Sequence, residues 1–134
     1  MTNVLIVQQY NIVYQLIGES LSSVSITSVC VSQQLLVNLN KTDVQPFLIL
    51  SDINMPKING FELRNKIFTN QQLQTKCIPY LFFTTSATKM AVIDAYALSV
   101  QGFFIKKSTM QGLENTIKII VDYWLECIAP SQYD

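Results

Sequence analysis

The residues able to do chemistry in this chain stand just after its apolar runs. Gln8 and Gln9 follow Leu5-Ile6-Val7, and Asp52 follows Leu48-Ile49-Leu50-Ser51. Thr84 and Thr85 follow Tyr80-Leu81-Phe82-Phe83, and Lys106 and Lys107 follow Gly102-Phe103-Phe104-Ile105. A carboxylate so placed can act as a nucleophile and carry a covalent intermediate, and a lysine serves as a mobile point charge. The chain has no histidine, which excludes a His-based zinc site, a His-centred triad and a phosphohistidine. Cys30, Cys77 and Cys127 are odd in number, widely spaced and without a CxxC pair, so they point to neither a metal site nor redox chemistry.

The elements that position these residues alternate. Val4-Leu5-Ile6-Val7 is continuous and β-branched, as a buried strand is. Ile12, Val13, Leu16, Ile17 and Leu21 then repeat at helical spacing, a second strand is expected from Ser25 to Val31, with Cys30 a small core residue in that stretch, and residues 32–40 read as a helix. The third strand is Phe47-Leu48-Ile49-Leu50, entered after Pro46. A turn-rich loop, Asp52 to Gly60, leads to a helix through Phe61, Leu63, Ile67 and Phe68. Tyr80 to Phe83 forms the fourth strand, a helix near 87–98 carries Met90, Val92, Ile93 and Tyr96, and Gly102 to Ile105 forms the fifth strand. The last helix runs from about Thr109 to Cys127. Continuous apolar strands alternating with helices predict an α/β chain with a parallel sheet covered on both faces, an α-β-α sandwich of three layers. In such a sheet ligands gather at the carboxyl ends of the strands, where Asp52, Thr84 and Lys106 fall.

Composition narrows the function classes. Of 134 residues, 49% are hydrophobic, enough for a core, and only 13% are charged, about half the usual share. Acidic and basic residues balance at nine each with no basic run, so nucleic-acid binding has no electrostatic footprint. No apolar stretch approaches the ~18 residues of a membrane span, and the N-terminus lacks the pattern of a signal peptide. A cytoplasmic location is expected. One domain over residues 1–134 is expected, with no linker, repeat or output domain.

Three segments resemble the receiver domain of two-component response regulators, and the resemblance extends over essentially the whole chain. They are Leu50-Ser51-Asp52-Ile53-Asn54-Met55-Pro56-Lys57-Ile58-Asn59-Gly60, Tyr80-Leu81-Phe82-Phe83-Thr84-Thr85 and Gly102-Phe103-Phe104-Ile105-Lys106. The resemblance implies a flavodoxin-like fold, five parallel strands in the order 2-1-3-4-5. It implies Asp52 as phosphoacceptor, fed by a sensor histidine kinase or phosphotransfer protein. Lys106 would pair with Asp52 and then with a phosphoryl oxygen, Thr84 would donate its hydroxyl to that oxygen, and Phe103 occupies the position of the aromatic that moves. Asn54, Met55, Pro56 and Gly60 would shape the loop, Gly60 through the backbone freedom of glycine. Such a protein is not an enzyme beyond self-catalysed phosphoryl transfer to and from Asp52, and its output passes to a downstream protein target.

The chain departs from that family where the metal is held. The family places two adjacent acids after strand one, which bind Mg²⁺ together with the acceptor carboxylate and a backbone carbonyl two residues beyond it, here that of Asn54. The matching residues are Gln8 and Gln9. Mg²⁺ seeks hard oxygen ligands and one or two carboxylates, and an amide brings no charge. Mg²⁺ binding is therefore expected to be weak, no cofactor is expected to be held tightly, and Mg²⁺-dependent phosphorylation is expected to be impaired. Three carboxylates and a lysine would leave two negative charges for a divalent cation to balance. Asp52 and Lys106 alone sum to zero, which predicts a direct ion pair. Further departures are Lys107 where the family commonly has proline, Ser99 where the preceding helix usually ends in glycine, and a slightly bulky Thr85.

In receivers the face made by the helix near 87–98, the fifth strand and the last helix meets partners. The last helix has a core stripe at Leu113, Ile117, Ile120, Val121, Trp124 and Ile128, and Ile119 and Tyr123 fall off it, which marks them as contacts for a kinase or a homodimer. Two other readings compete. One is a receiver fold kept as a binding or scaffold module without phosphorylation. The other, a flavodoxin-like cofactor-binding enzyme, would need a phosphate loop after strand one, and Gln8-Gln9-Tyr10-Asn11 has no glycine.

Overall fold

The computed structural model describes residues 2–7, 24–29, 47–54 and 58–133. The helices predicted at 12–21 and 32–40 lie outside these residues, as do Gln8, Gln9, Cys30, Met55, Pro56 and Lys57. The described strands are β1 (Thr2–Val7), β2 (Val24–Val29), β3 (Leu48–Ser51), β4 (Tyr80–Thr84) and β5 (Gly102–Ile105). They form one sheet in the order β2-β1-β3-β4-β5, with every pairing parallel. The described helices are α1 (Gly60–Phe68), the single turn α2 (Gln71–Gln74), α3 (Lys89–Ala97) and α4 (Met110–Glu126).

Strand periodicity divides the core into two. Successive strand residues point to opposite faces, so Ile49, Tyr80 and Phe82 pack on one side with Leu63 and Ile67 of α1 and Ala95 of α3. Leu48, Leu50, Leu81 and Phe83 pack on the other with Leu113, Ile117, Ile120 and Val121 of α4. All five residues of β4 are buried, which is why that segment reads as an unbroken apolar run rather than an alternation.

β3 differs by one residue from the expected Phe47–Leu50. Ser51 completes it because both neighbours supply a partner, Val7 in β1 and Phe82 in β4. The last helix ends at Glu126, and Cys127 is already extended, so Ile128 leaves the helical stripe and is 71% exposed. α3 also differs from a simple core helix. Met90, Ile93 and Tyr96 are exposed, and Ala95 is its buried residue.

Helix starts are set by side chains that accept the free N–H groups of the first turn. Asn59 and Glu62 form a reciprocal capping box on α1, with Glu62 N donating to Asn59 Oδ1 at 2.9 Å and Asn59 N donating to Glu62 Oε1 at 3.4 Å. Thr88 caps α3 by accepting from Ala91 N, and Thr109 caps α4 by accepting from Gly112 N. The Asn59 cap matters because α1 begins directly after the loop that carries Asp52. An Asn59→Ala variant should lose about 1 kcal/mol of stability, read as a lower urea midpoint with unchanged slope. An unchanged midpoint would show that the box contributes nothing.

Candidate functional site

Asp52, Thr84 and Lys106 converge at the carboxyl edge of the sheet because β3, β4 and β5 are adjacent and in register. Ser51 pairs with Phe82, Thr84 pairs with Ile105, and Lys106 N donates to Thr84 O at 2.7 Å. The chain therefore leaves β3 into Asp52 and β5 into Lys106 at the same end.

Lys106 Nζ lies 3.2 Å from Asp52 Oδ2, and the two side chains are 13% and 16% exposed. This is the direct pair that the charge count predicts. Asp52 Oδ1 accepts from Ile53 N at 2.9 Å, so each carboxylate oxygen already has a donor. Beneath it, Ser51 Oγ donates to the Asp52 carbonyl at 2.8 Å, which ties the main chain of Asp52 to the buried end of β3. The ammonium of Lys106 also lies 5.7 Å from the centre of the Phe83 ring. Little water reaches this pair, so it is screened less than a surface ion pair.

Thr84 is buried at the end of β4, but its hydroxyl turns along its own loop and donates to Ser86 O at 3.4 Å. Thr84 is thus tied to Lys106 through its backbone carbonyl, while its hydroxyl bonds neither the Asp52 carboxylate nor the Lys106 ammonium. Phe103 is half-buried and packs against Phe82, ring centres 5.8 Å apart, in a cluster that also holds Phe61 and Tyr80. It is a working part of the core as well as the residue at the aromatic position. Asn54 is exposed in the loop. Thr85 and Lys107 are exposed too.

Gly60 has a different reason from the one expected. No described glycine has a positive φ, so conformational freedom is not what the position needs. A Cβ at Gly60 would run into the Asp52 carbonyl oxygen and come within 2.8 Å of Phe82 Cε1 and 2.9 Å of Ile53 Cα. The glycine lets the start of α1 close on the loop, where Gly60 N donates to Ile53 O at 2.7 Å. Left-handed backbone occurs instead at Cys77 and at Ser99, the latter being the position where glycine was expected.

The donor set suits a divalent cation poorly. Mg²⁺ needs hard oxygens and several compensating charges, whereas Asp52 is the one carboxylate at the strand ends among the described residues and is already matched by Lys106. No group of three acidic, Cys or His side chains that could hold a metal occurs among the described residues. Gln8 and Gln9, the next residues after Val7, which pairs with Ser51, lie outside them.

One charged side chain went unnoticed in the sequence. Arg64 is buried on α1, where Gly60, Leu63 and Ile67 share its inward face. Its spacing of three from Ile67 was the available signal, since a charge in phase with an apolar stripe either snorkels out or is buried with partners. Ile119 and Tyr123, by contrast, are exposed as their wheel positions predict, at 66% and 63%, and border a groove of about 230 Å³ with Phe104 and Trp124. No helix among the described residues is long and apolar enough to cross a membrane.

The chain is similar to a family and to several known proteins. The family model described as response regulator receiver domain matches residues 4–118. Response regulator Rcp1 of Synechocystis sp. is 36% identical over 84 residues, covering 63% of this chain and 56% of that protein. Chemotaxis protein CheY1 of Helicobacter pylori is 30% identical over 74 residues, covering 55% and 58%. The chain spans about half the length of the curated relatives it matches. Among solved structures, the phosphorylated cyanobacterial phytochrome response regulator RcpA superposes with a TM-score of 0.86 at 24% identity, covering 96% of this chain and 98% of that one. The Mn²⁺-bound form of Rcp1 superposes with a TM-score of 0.82 at 26% identity, covering 96% and 97%.

Proposed function

The chain belongs to the response regulator receiver domain family, and from that membership we propose that it signals with Asp52 in the phosphoacceptor position and with metal-dependent phosphorylation there impaired. Receiver domains are signalling modules rather than enzymes, so the only chemistry assigned to the chain is phosphoryl transfer to and from Asp52. The observation that carries the reading is the Asp52–Lys106 pair at 3.2 Å. It gives the site a carboxylate whose charge is met from within the protein, where a receiver with two further acids would need a divalent cation to meet it. Gln8 and Gln9 supply amide oxygens in place of those acids. Phosphoryl transfer depends on neutralising the charge of the transferred group, and in this site Lys106 is left to do most of that.

The roles that follow are these. Asp52 attacks through Oδ2 once Lys106 shifts from the carboxylate to the incoming phosphoryl oxygen, and Thr84 rotates from Ser86 O to the same oxygen. The donor is a kinase histidine or a phosphotransfer protein. Output passes by protein contact rather than through DNA, in keeping with a chain of zero net charge. We place that contact on the face of α3, β5 and α4, with Ile119 and Tyr123 as its apolar contacts, and the setting in the cytoplasm.

A second reading is favoured by the same pair. With both Asp52 oxygens occupied, the fold can serve as a binding module that does not require phosphate. Intact-mass measurement after incubation with acetyl phosphate, with and without Mg²⁺, separates the two. The phosphorylated receiver predicts a slow phosphoryl-sized mass increase that responds little to Mg²⁺ and vanishes in Asp52→Ala. A complete absence of adduct at any Mg²⁺ level would establish the module reading. A fast adduct that depends steeply on Mg²⁺ would overturn the impairment.

A further inference from the structure

A cavity of about 300 Å³ opens at the end of the sheet opposite Asp52, before β4 and β5. Its walls are largely apolar, with Ile67, Leu73, Ile78 and Pro79 among them, and Arg64 is the only charged residue that lines it among the described residues. Arg64 is 6% exposed. A guanidinium carries five N–H donors, and two of these are used: Nε donates to Leu98 O at 2.9 Å and Nη2 to Ser99 O at 3.0 Å. Its faces are covered by Phe68 and Tyr80, whose ring centres lie 5.1 and 5.4 Å from Cζ. Among the described residues, the remaining donors meet no acceptor and no carboxylate pairs with the charge. Buried charges are ordinarily paired, so this cation stands out. Burial pulls its pKa down, and the Tyr80 phenol beside it opposes this only in part.

We propose that this cavity is a binding site for a small monocarboxylate with an apolar body, held by the uncommitted side of the Arg64 guanidinium. The charge argument selects the anion: the lining carries one positive charge and no negative one. The fork of an arginine matches a carboxylate better than any other common anion of single charge. The apolar walls select the body, and the volume sits at the small end of ligand cavities, roughly 300–1,000 Å³. The site is independent of Asp52, since it lies at the other end of the strands. It would still be felt at the end of α3, because the same guanidinium holds the carbonyls of Leu98 and of the left-handed Ser99.

The test is an amide ¹H–¹⁵N titration of the whole chain with benzoate and, separately, with the neutral benzamide. Benzoate should shift Gln74, Cys77, Ser99 and Gln101 saturably and leave Asp52 and Lys106 in place. Benzamide should bind about tenfold or more weakly, because a charge-assisted hydrogen bond is lost. Since Arg64 is buried and its replacement would disturb the core, the decisive substitution is Gln74→Glu, at an exposed residue on the cavity rim. That carboxylate should lower benzoate affinity about tenfold or more by competing for or repelling the anion. Absence of saturable shifts, equal binding of acid and amide, or unchanged benzoate affinity in Gln74→Glu would each overturn the site.

Discussion

Restoring aspartate at both Gln8 and Gln9 is expected to raise Mg²⁺ affinity by about a hundredfold or more and to make acetyl-phosphate labelling of Asp52 depend on Mg²⁺. The argument is one of charge. At an effective dielectric of ~20, a unit pair ~4 Å apart attracts by about 4 kcal/mol, so two carboxylates offer a divalent ion a gross ~16 kcal/mol. Desolvation and mutual repulsion remove most of this. A surviving sixth is still ~100-fold in affinity. The new acids would also compete for Lys106, whose present partner is Asp52 alone among the described residues. Without metal, three carboxylates against one lysine repel one another, so the variant should melt lower than the parent in EDTA and recover on adding Mg²⁺. The parent should show almost no Mg²⁺ shift. Identical Mg²⁺ responses in the two proteins would show that the glutamines are not what sets metal affinity.

The second large effect concerns stability at the same loop. Gly60→Ala should destabilise the fold by about 3 kcal/mol, at the upper end of what overpacking ordinarily costs. Two of the three atoms a Cβ would meet belong to the backbone, the Asp52 carbonyl oxygen and Ile53 Cα, and the third is the Phe82 ring edge. Backbone cannot rotate away as a flexible side chain can, and Phe82 is fully buried between Phe61 and Phe103. Relief therefore requires α1 to back off from the loop, which would lengthen the Gly60 N to Ile53 O bond and displace Asp52 from Lys106. Urea unfolding and acetyl-phosphate labelling should fall together. A variant within about 1 kcal/mol of the parent, against that expected range, would mean that the close approach is soft.

The two predictions draw on different kinds of information. The first needs only the order of residues. Gln8-Gln9 after an apolar run, Asp52 after another and Lys106 after a third are visible in the sequence, because a buried parallel strand leaves a continuous apolar stretch whatever surrounds it. Their convergence follows from topology, since every such strand ends at the same edge of a parallel sheet. The missing charges are equally legible, as net charge at a set of positions does not depend on conformation. Capping residues such as Asn59 belong to this class too: a cap acts within one turn, so local spacing with Glu62 suffices to see it.

The second needs the tertiary structure. Glycine reads the same whether it supplies a left-handed backbone or a close approach, and only the packing of α1 against the Asp52 loop distinguishes them. Apolar spacing marks a helix face but not how much of that face is covered, so Met90, Ile93 and Tyr96 could be placed on α3 without revealing that they are exposed. Ile128 followed the stripe of α4 only on the assumption that the helix continues past Glu126. Arg64 is the clearest case. Its partners, Leu98 and Ser99, lie more than thirty residues away in sequence, and their contact exists only because α1 and the turn after α3 pack on one face of the sheet. What residue order determines about this protein is its fold family, the sheet edge where Asp52 and Lys106 meet and the charges absent there. What tertiary structure decided is which side-chain atoms meet, because a distance of a few ångströms between remote segments is set by register and packing rather than by sequence spacing.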